Sequence, residues 1–174
     1  MQKLRHVLGL PVLETNTGKQ VGEVSEVMVD ISRTVLLGFI VAGDNVEDGF
    51  IPFEDVFSLG EDAIMLSNQK KIRSLETLQS ISDTYPLAEL FDKAIFTEAG
   101  LRLGMLVDIM IDKMTGEIKW YQLSESVLGD LLYGRLIMPL PQAQMIGEDK
   151  IIVPEIMSKL LHKDGDHNEM QSLT

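Results

Sequence analysis

The chain has 174 residues, 15 of them basic and 27 acidic, giving a net charge of −12. Hydrophobic residues make up 45% and charged residues 24%, a globular composition that argues against disorder outside the C-terminal tail. With no cysteine, disulfides, thiolate zinc sites, iron–sulfur clusters and cysteine nucleophiles are excluded, and the acidic balance argues against a protein that wraps duplex nucleic acid. No apolar run approaches the roughly 20 residues that span a bilayer, and residues 1–10 lack the apolar core of a secretory signal, so we expect a cytoplasmic protein.

The first long strand is expected at Val21 to Ile31, after a turn around Thr17-Gly18 where glycine takes positive φ without steric cost. Its alternation breaks because Glu23 and Ser25 fall on the would-be inner face, which a β-bulge near those residues would reconcile. Ile31-Ser32-Arg33-Thr34 reads as a hairpin tip and Val35 to Ala42 as the returning strand. Asp44, Glu47 and Asp48 then cluster in a loop. Hard cations favour clustered carboxylates, but the spacing lacks the alternation of a calcium loop, and a solvated hairpin tip is the plainer reading. Phe50 to Phe53 carries Pro52, which a ladder accepts only at an edge, an end or a bulge. A Gly60-Glu61-Asp62 turn leads to a short strand, Ala63 to Leu66. Ser74 to Ser82 places Leu75, Leu78 and Ile81 at helical spacing behind Ser74 as N-cap, and Pro86 ends the segment.

From residue 94 the pattern begins again. Val12 to Asp30 set against Ala94 to Asp112, an offset of 82, matches at five of 19 positions: Thr15/Thr97, Gly18/Gly100, Gly22/Gly104, Met28/Met110 and Asp30/Asp112. Phe50 to Leu66 set against Ile137 to Val153, an offset of 87, matches at five of 17, including Pro52/Pro139 and Gly60-Glu61-Asp62 against Gly147-Glu148-Asp149. Two blocks in the same order, separated by one insertion, indicate a duplication. In the second copy every odd position from Leu101 to Ile111 is apolar, so those side chains are expected on the buried face. Lys113 to Gly116 is the second hairpin tip and Glu117 to Leu123 its return. Aspartates 30 and 112 end their strands where a carboxylate can bond the following backbone. Residues 124–134 are the longer loop of the second copy. With Trp120 just before it, Leu128, Leu131 and Tyr133 have the composition of a partner-binding surface; the competing reading is a plug between the barrels. Pro154 is placed for the first turn of a closing helix, Glu155 to His162, and the polar stretch after it is expected to fray.

No catalytic, cofactor-binding or metal-binding residues are expected. His6, His162 and His167 lie outside the repeats, and the His162/His167 pair with Asp164 and Asp166 has no helical ligand spacing. Gly18-x3-Gly22 and Gly100-x3-Gly104 lack the lysine and third glycine of a phosphate cradle and precede strands. Charge is uneven: residues 8–66 hold 11 acidic and 2 basic side chains, net −9, and residues 91–153 hold 9 and 6, net −3.

The order of turn glycine, G-x-x-x-G, a V-x-x-V/I-x-V/I-D strand, a hairpin, then I/M-P and I/L-G-E-D-x-I-x-L/V resembles the PRC-barrel domain, the small β-barrel shared by the photosynthetic reaction-centre H subunit and the ribosome maturation protein RimM. The first copy is the better fit, with Ile51-Pro52-Phe53-Glu54-Asp55-Val56, and the second departs at Met138-Pro139-Leu140-Pro141-Gln142-Ala143. The resemblance implies a mainly β chain with two small PRC-type barrels in tandem: copy 1 over 1–66, a linker with a short helix over 67–90, copy 2 with a C-terminal helix over 91–162, and a flexible tail over 163–174. It also implies a docking module and brings no catalytic residues. The expected function is therefore a non-enzymatic adaptor that binds a protein partner; the alternative is a ribosome-assembly accessory that binds a ribosomal protein, and contact with a membrane complex is a further possibility of the family.

Overall fold

The computed structural model describes residues 1–43, 46–81, 83–124 and 135–164. In chain order the strands are β1 (Gln2–Lys3), β2 (Pro11–Glu14), β3 (Gln20–Asp30), β4 (Val35–Gly43), β5 (Val46–Pro52), β6 (Ser58–Leu59), β7 (Ile64–Leu66), β8 (Arg73–Ser74) and β9 (Thr84–Pro86). After the single-turn helix α1 (Leu87–Leu90) come β10 (Ala94–Thr97), β11 (Arg102–Ile111), β12 (Ile118–Ser124), β13 (Leu136–Pro139), β14 (Met145–Ile146), β15 (Lys150–Val153), α2 (Met157–Leu160) and β16 (His162–Lys163). The chain divides into two compact units, Met1–Glu89 with Ile111–Ile118, and Leu90–Met110 with Lys119–Thr174.

The first sheet has the order β6-β7-β2-β3-β4-β5-β8, with β9 paired to β3; the second repeats it strand for strand as β14-β15-β10-β11-β12-β13-β16. In both, the first strand of the repeat pairs antiparallel with the long strand and parallel with the strand after the Gly-Glu-Asp turn. That turn closes in the same way twice, Gly60 N–H to Ala63 O at 3.0 Å and Gly147 N–H to Lys150 O at 2.8 Å. The strands at the ladder ends, β6, β8, β14 and β16, are two residues each. Leu66, Ile64, Val12 and Phe39 are fully buried in the first unit, and Ile95, Ile109 and Leu123 in the second.

Several expectations are met by specific contacts. Gly18 and Gly100 have φ of +68° and +87°. A Cβ at either would meet nothing within 4 Å, so a substitution there opposes the backbone conformation alone. Gly100→Val is accordingly expected to cost about 1–2 kcal/mol, measurable as a lower urea midpoint, with Gly100→Asn closer to the parent. The bulge near Glu23–Ser25 is present: Val24 pairs with Val41 and Glu26 with Ile40, leaving Ser25 without a partner in the register. Asp30 Oδ1 accepts from Arg33 N–H, and Asp112 Oδ1 accepts from Met114 N–H, both at 2.8 Å. Ser74 caps the 3₁₀ turn Leu75–Ser80 by accepting from Glu76 N–H.

Other details differ. The apolar odd positions of Leu101 to Ile111 do not form one buried face: Leu101, just before β11, is 52% exposed and Met105 and Val107 are half-buried, whereas Leu106 and Asp108 are buried. The side-chain phase shifts within the strand, so strict period-2 counting fails across it. The first turn is one residue longer in copy 1, where Gly18 N–H reaches back to Glu14 O and Gly100 N–H only to Thr97 O. Thr15 therefore corresponds to Glu98, not Thr97: their N–H groups bond Leu66 O and Val153 O, equivalent positions on β7 and β15. The stretch 67–90 contributes β8 and β9 to the first sheet as well as connecting the copies. The closing helix is α2, four residues in place of Glu155 to His162, because Leu161 turns extended and His162–Lys163 pairs with β13.

Candidate interaction surface

The segment after β7 is fastened to the start of the first sheet by a set of short bonds. Glu14 Oε1 accepts from Gln69 N–H at 3.1 Å, Glu14 Oε2 accepts from Thr17 Oγ1 at 2.7 Å, and Asn16 Nδ2 donates to Ser67 O at 3.0 Å. The Thr17 hydroxyl, and then the Gln69 amide, hold the Glu14 carboxyl below the usual carboxylate range. β8 then pairs with β5 through Gly49↔Ser74 and Phe50↔Arg73. Gly49 is needed for this close approach, since a Cβ there would run into the Ile72 side chain.

Between the start of β3 and β8 lies an open cleft of about 1000 Å³, lined by Lys19, Gln20, Gly22, Glu23, Asp48 and Arg73 among others. Arg73, on the β8 wall, belongs to an ion-pair cluster that extends away from the cleft lining. Lys71 Nζ is 2.8 Å from Asp55 Oδ1, and Arg73 donates to Asp55 Oδ2 and, at 3.3 Å, to Glu54 Oε1. The Asp55 side chain is only 10% exposed. Lys71 pulls its carboxyl below the ordinary range against the opposing effect of burial, with Arg73 adding to the pull, and Asp55 in turn raises the Arg73 guanidinium. A carboxylate held low in the folded state stabilises the fold above its unfolded pKa, and that contribution is lost as pH falls through the folded value. We expect the melting temperature to drop on acidification below about pH 4, and Asp55→Asn to flatten that part of a melting-temperature-versus-pH curve.

In the second copy Arg135, the counterpart of Asp48, joins a different set of bonds. Arg135 Nη1 donates to Gln122 Oε1 at 2.9 Å, Gln122 Nε2 donates to Asp164 Oδ2 at 2.6 Å, and Asp164 N–H bonds Arg135 O at 2.8 Å, fixing the chain after β16. Gln122 is 1% exposed. Nearby, the buried Tyr121 hydroxyl accepts from Gln144 Nε2 at 3.0 Å; burial pushes the phenol above its usual pKa, with the Gln144 bond acting the other way.

Trp120 lies half-buried on β12 opposite Pro139, while Leu128, Leu131 and Tyr133 lie outside the described residues. So do Asp44, Asp166 and His167; Asp48 is exposed on the cleft. His6 is exposed in the turn Leu4–Val7, and His162 Nδ1 is 3.2 Å from Leu160 O on β16. Among the described residues no three His, Asp or Glu side chains converge as a metal site, and no helix is long and apolar enough to cross a membrane. The cleft itself is absent from the sequence reading. Its one legible signal is Gly49 within a strand, which marks a close backbone approach.

Two small β-domains of identical strand order, one following the other, define a tandem barrel protein. A family model for the PRC-barrel domain matches the chain twice, over residues 2–73 and 82–160, and the chain belongs to that family. A search of the curated proteins returned no match.

Proposed function

We propose that the protein is a non-enzymatic adaptor of the cytoplasm that docks other proteins through its barrel surfaces. The observation that carries this reading is divergence of surface on a constant scaffold. The two sheets keep one strand order, yet residues 8–66 carry a net −9 and residues 91–153 a net −3. A duplicated scaffold whose copies differ chiefly in their surfaces is suited to presenting two unlike faces to partners. The test is affinity purification of the tagged full chain from its native extract, followed by reconstitution with the purified partner. A stoichiometric complex that reforms from pure components is expected. Failure to recover any would remove the adaptor reading.

The charge of the first copy also favours a second reading, an accessory of ribosome assembly that binds a basic ribosomal protein. Long-range attraction between an acidic face and a basic partner speeds encounter and weakens with salt. Under this reading the chain cosediments with ribosomal subunits at low salt and leaves them at high salt. Persistent absence from the subunit fractions at low salt counts against it.

A further inference from the structure

Strand pairing leaves two edges facing the cleft of the first unit. On β3 the β4 partners begin at Glu23↔Ala42 and Gly22 packs against the Ala42 backbone, so Gln20 and Val21 have no strand on that side among the described residues. At the other wall β8 ends the ladder, pairing among the described residues with β5 on one side only. Both stretches line the same open cleft of about 1000 Å³. Unpaired strand edges facing an open groove are the features to which extended peptides add as a further strand, main-chain bonds giving affinity and alternate side chains giving selectivity. The second copy keeps the topology, but Arg135, which stands where Asp48 does, is tied to Gln122 and through it to Asp164.

Charge selects the occupant. Arg73 is engaged by Asp55 and Glu54, so among the remaining charged lining residues the exposed carboxylates of Glu23 and Asp48 outnumber Lys19, within a copy of net −9. We propose that this cleft takes an extended, lysine- or arginine-bearing segment of a partner protein as an added strand. The proposal rests on the adaptor reading and names the surface and the partner chemistry that serve it.

The test uses the full chain and three short fluorescent peptides: alternating Lys and Val, alternating Glu and Val, and the Lys/Val sequence with alternate backbone nitrogens methylated. Methylation keeps the charge and removes the donors that pair with a strand edge. The expected result is saturable binding of the Lys/Val peptide, with amide shifts concentrated at residues 19–23 and 72–74. Binding should weaken about tenfold in the Glu23→Lys, Asp48→Lys double variant, whose exposed positions leave the melting temperature near the parent's. The Glu/Val and methylated peptides should fail to bind. No saturable binding, equal binding of the methylated peptide, or shifts centred elsewhere would each overturn the proposal. The adaptor reading has its own arm: a reconstituted partner complex that forms equally with the double variant overturns the cleft and leaves the adaptor standing, whereas no complex with the parent chain removes the adaptor.

Discussion

Replacing Gly38 with alanine is expected to destabilise the first unit by about 3 kcal/mol or more, the largest single effect foreseen here. Gly38 has a φ of +154°, a conformation that side chains with a Cβ rarely adopt. An added Cβ would fall onto the Ile51 carbonyl oxygen and within 2.9 Å of the Phe50 ring, neither of which can yield cheaply in a packed core. The residue also sits at a register shift, where Met28 opposes Gly38 and Val29 opposes Leu36. That shift changes the side-chain phase of β4. Leu36 points inward before it, and Phe39 and Val41 point inward after it. Without the bulge Phe39, which is fully buried, would rotate to the solvent face. Urea unfolding of Gly38→Ala beside Leu37→Ala, at a half-exposed neighbour, checks the claim. Equal midpoints for the two would show that β4 absorbs the change.

What was legible in the sequence had a local chemical marker. The turn glycines 18 and 100, the strand-ending aspartates 30 and 112, and the Ser74 cap each announce a backbone geometry through one residue type, and each is found in it. The duplication was legible because those markers recur in order. Features without such a marker were missed. The 3₁₀ turn Leu4–Val7 and helix α1 are equivalent, since Gly9 and Asp92 donate to Val24 O and Leu106 O and both have positive φ. Only the buried pairs Leu4/Val7 and Leu87/Leu90 survive of their likeness, too little to align by eye. The pairing of β8 and β16 at the far edge likewise depends on long-range register that two residues cannot signal. The cleft is a product of where strands stop pairing, a tertiary property that composition and periodicity do not carry. Period-2 counting on β11 failed for the same reason, because a phase shift inverts the meaning of every apolar position beyond it.

That inversion leads to the second large effect. Asp108, polar and expected outside, is 2% exposed, and its Oδ1 accepts from the N–H of Ile109 at 2.9 Å. Copy 1 solves the same problem with a longer side chain: Glu26 Oε1 accepts from Val27 N–H at 2.8 Å. In copy 1 the register shifts just before Glu26, and in copy 2 the buried positions pass from even to odd just after Asp108; each acidic residue supplies an acceptor to the next N–H. Truncating the acceptor strands a buried donor, which costs its desolvation without return. Asp108→Ala is therefore expected to lower stability by about 2 kcal/mol. Val27 is as buried as Ile109, but Glu26 itself is half-exposed, so water can take the place its carboxylate vacates, and Glu26→Ala should cost less than half as much. Amide hydrogen exchange provides the local readout: Ile109 should lose protection in Asp108→Ala well beyond what Val27 loses in Glu26→Ala. Matching losses at the two sites would show that the acceptors are equivalent despite their different burial, and would refute the argument that depth sets the cost.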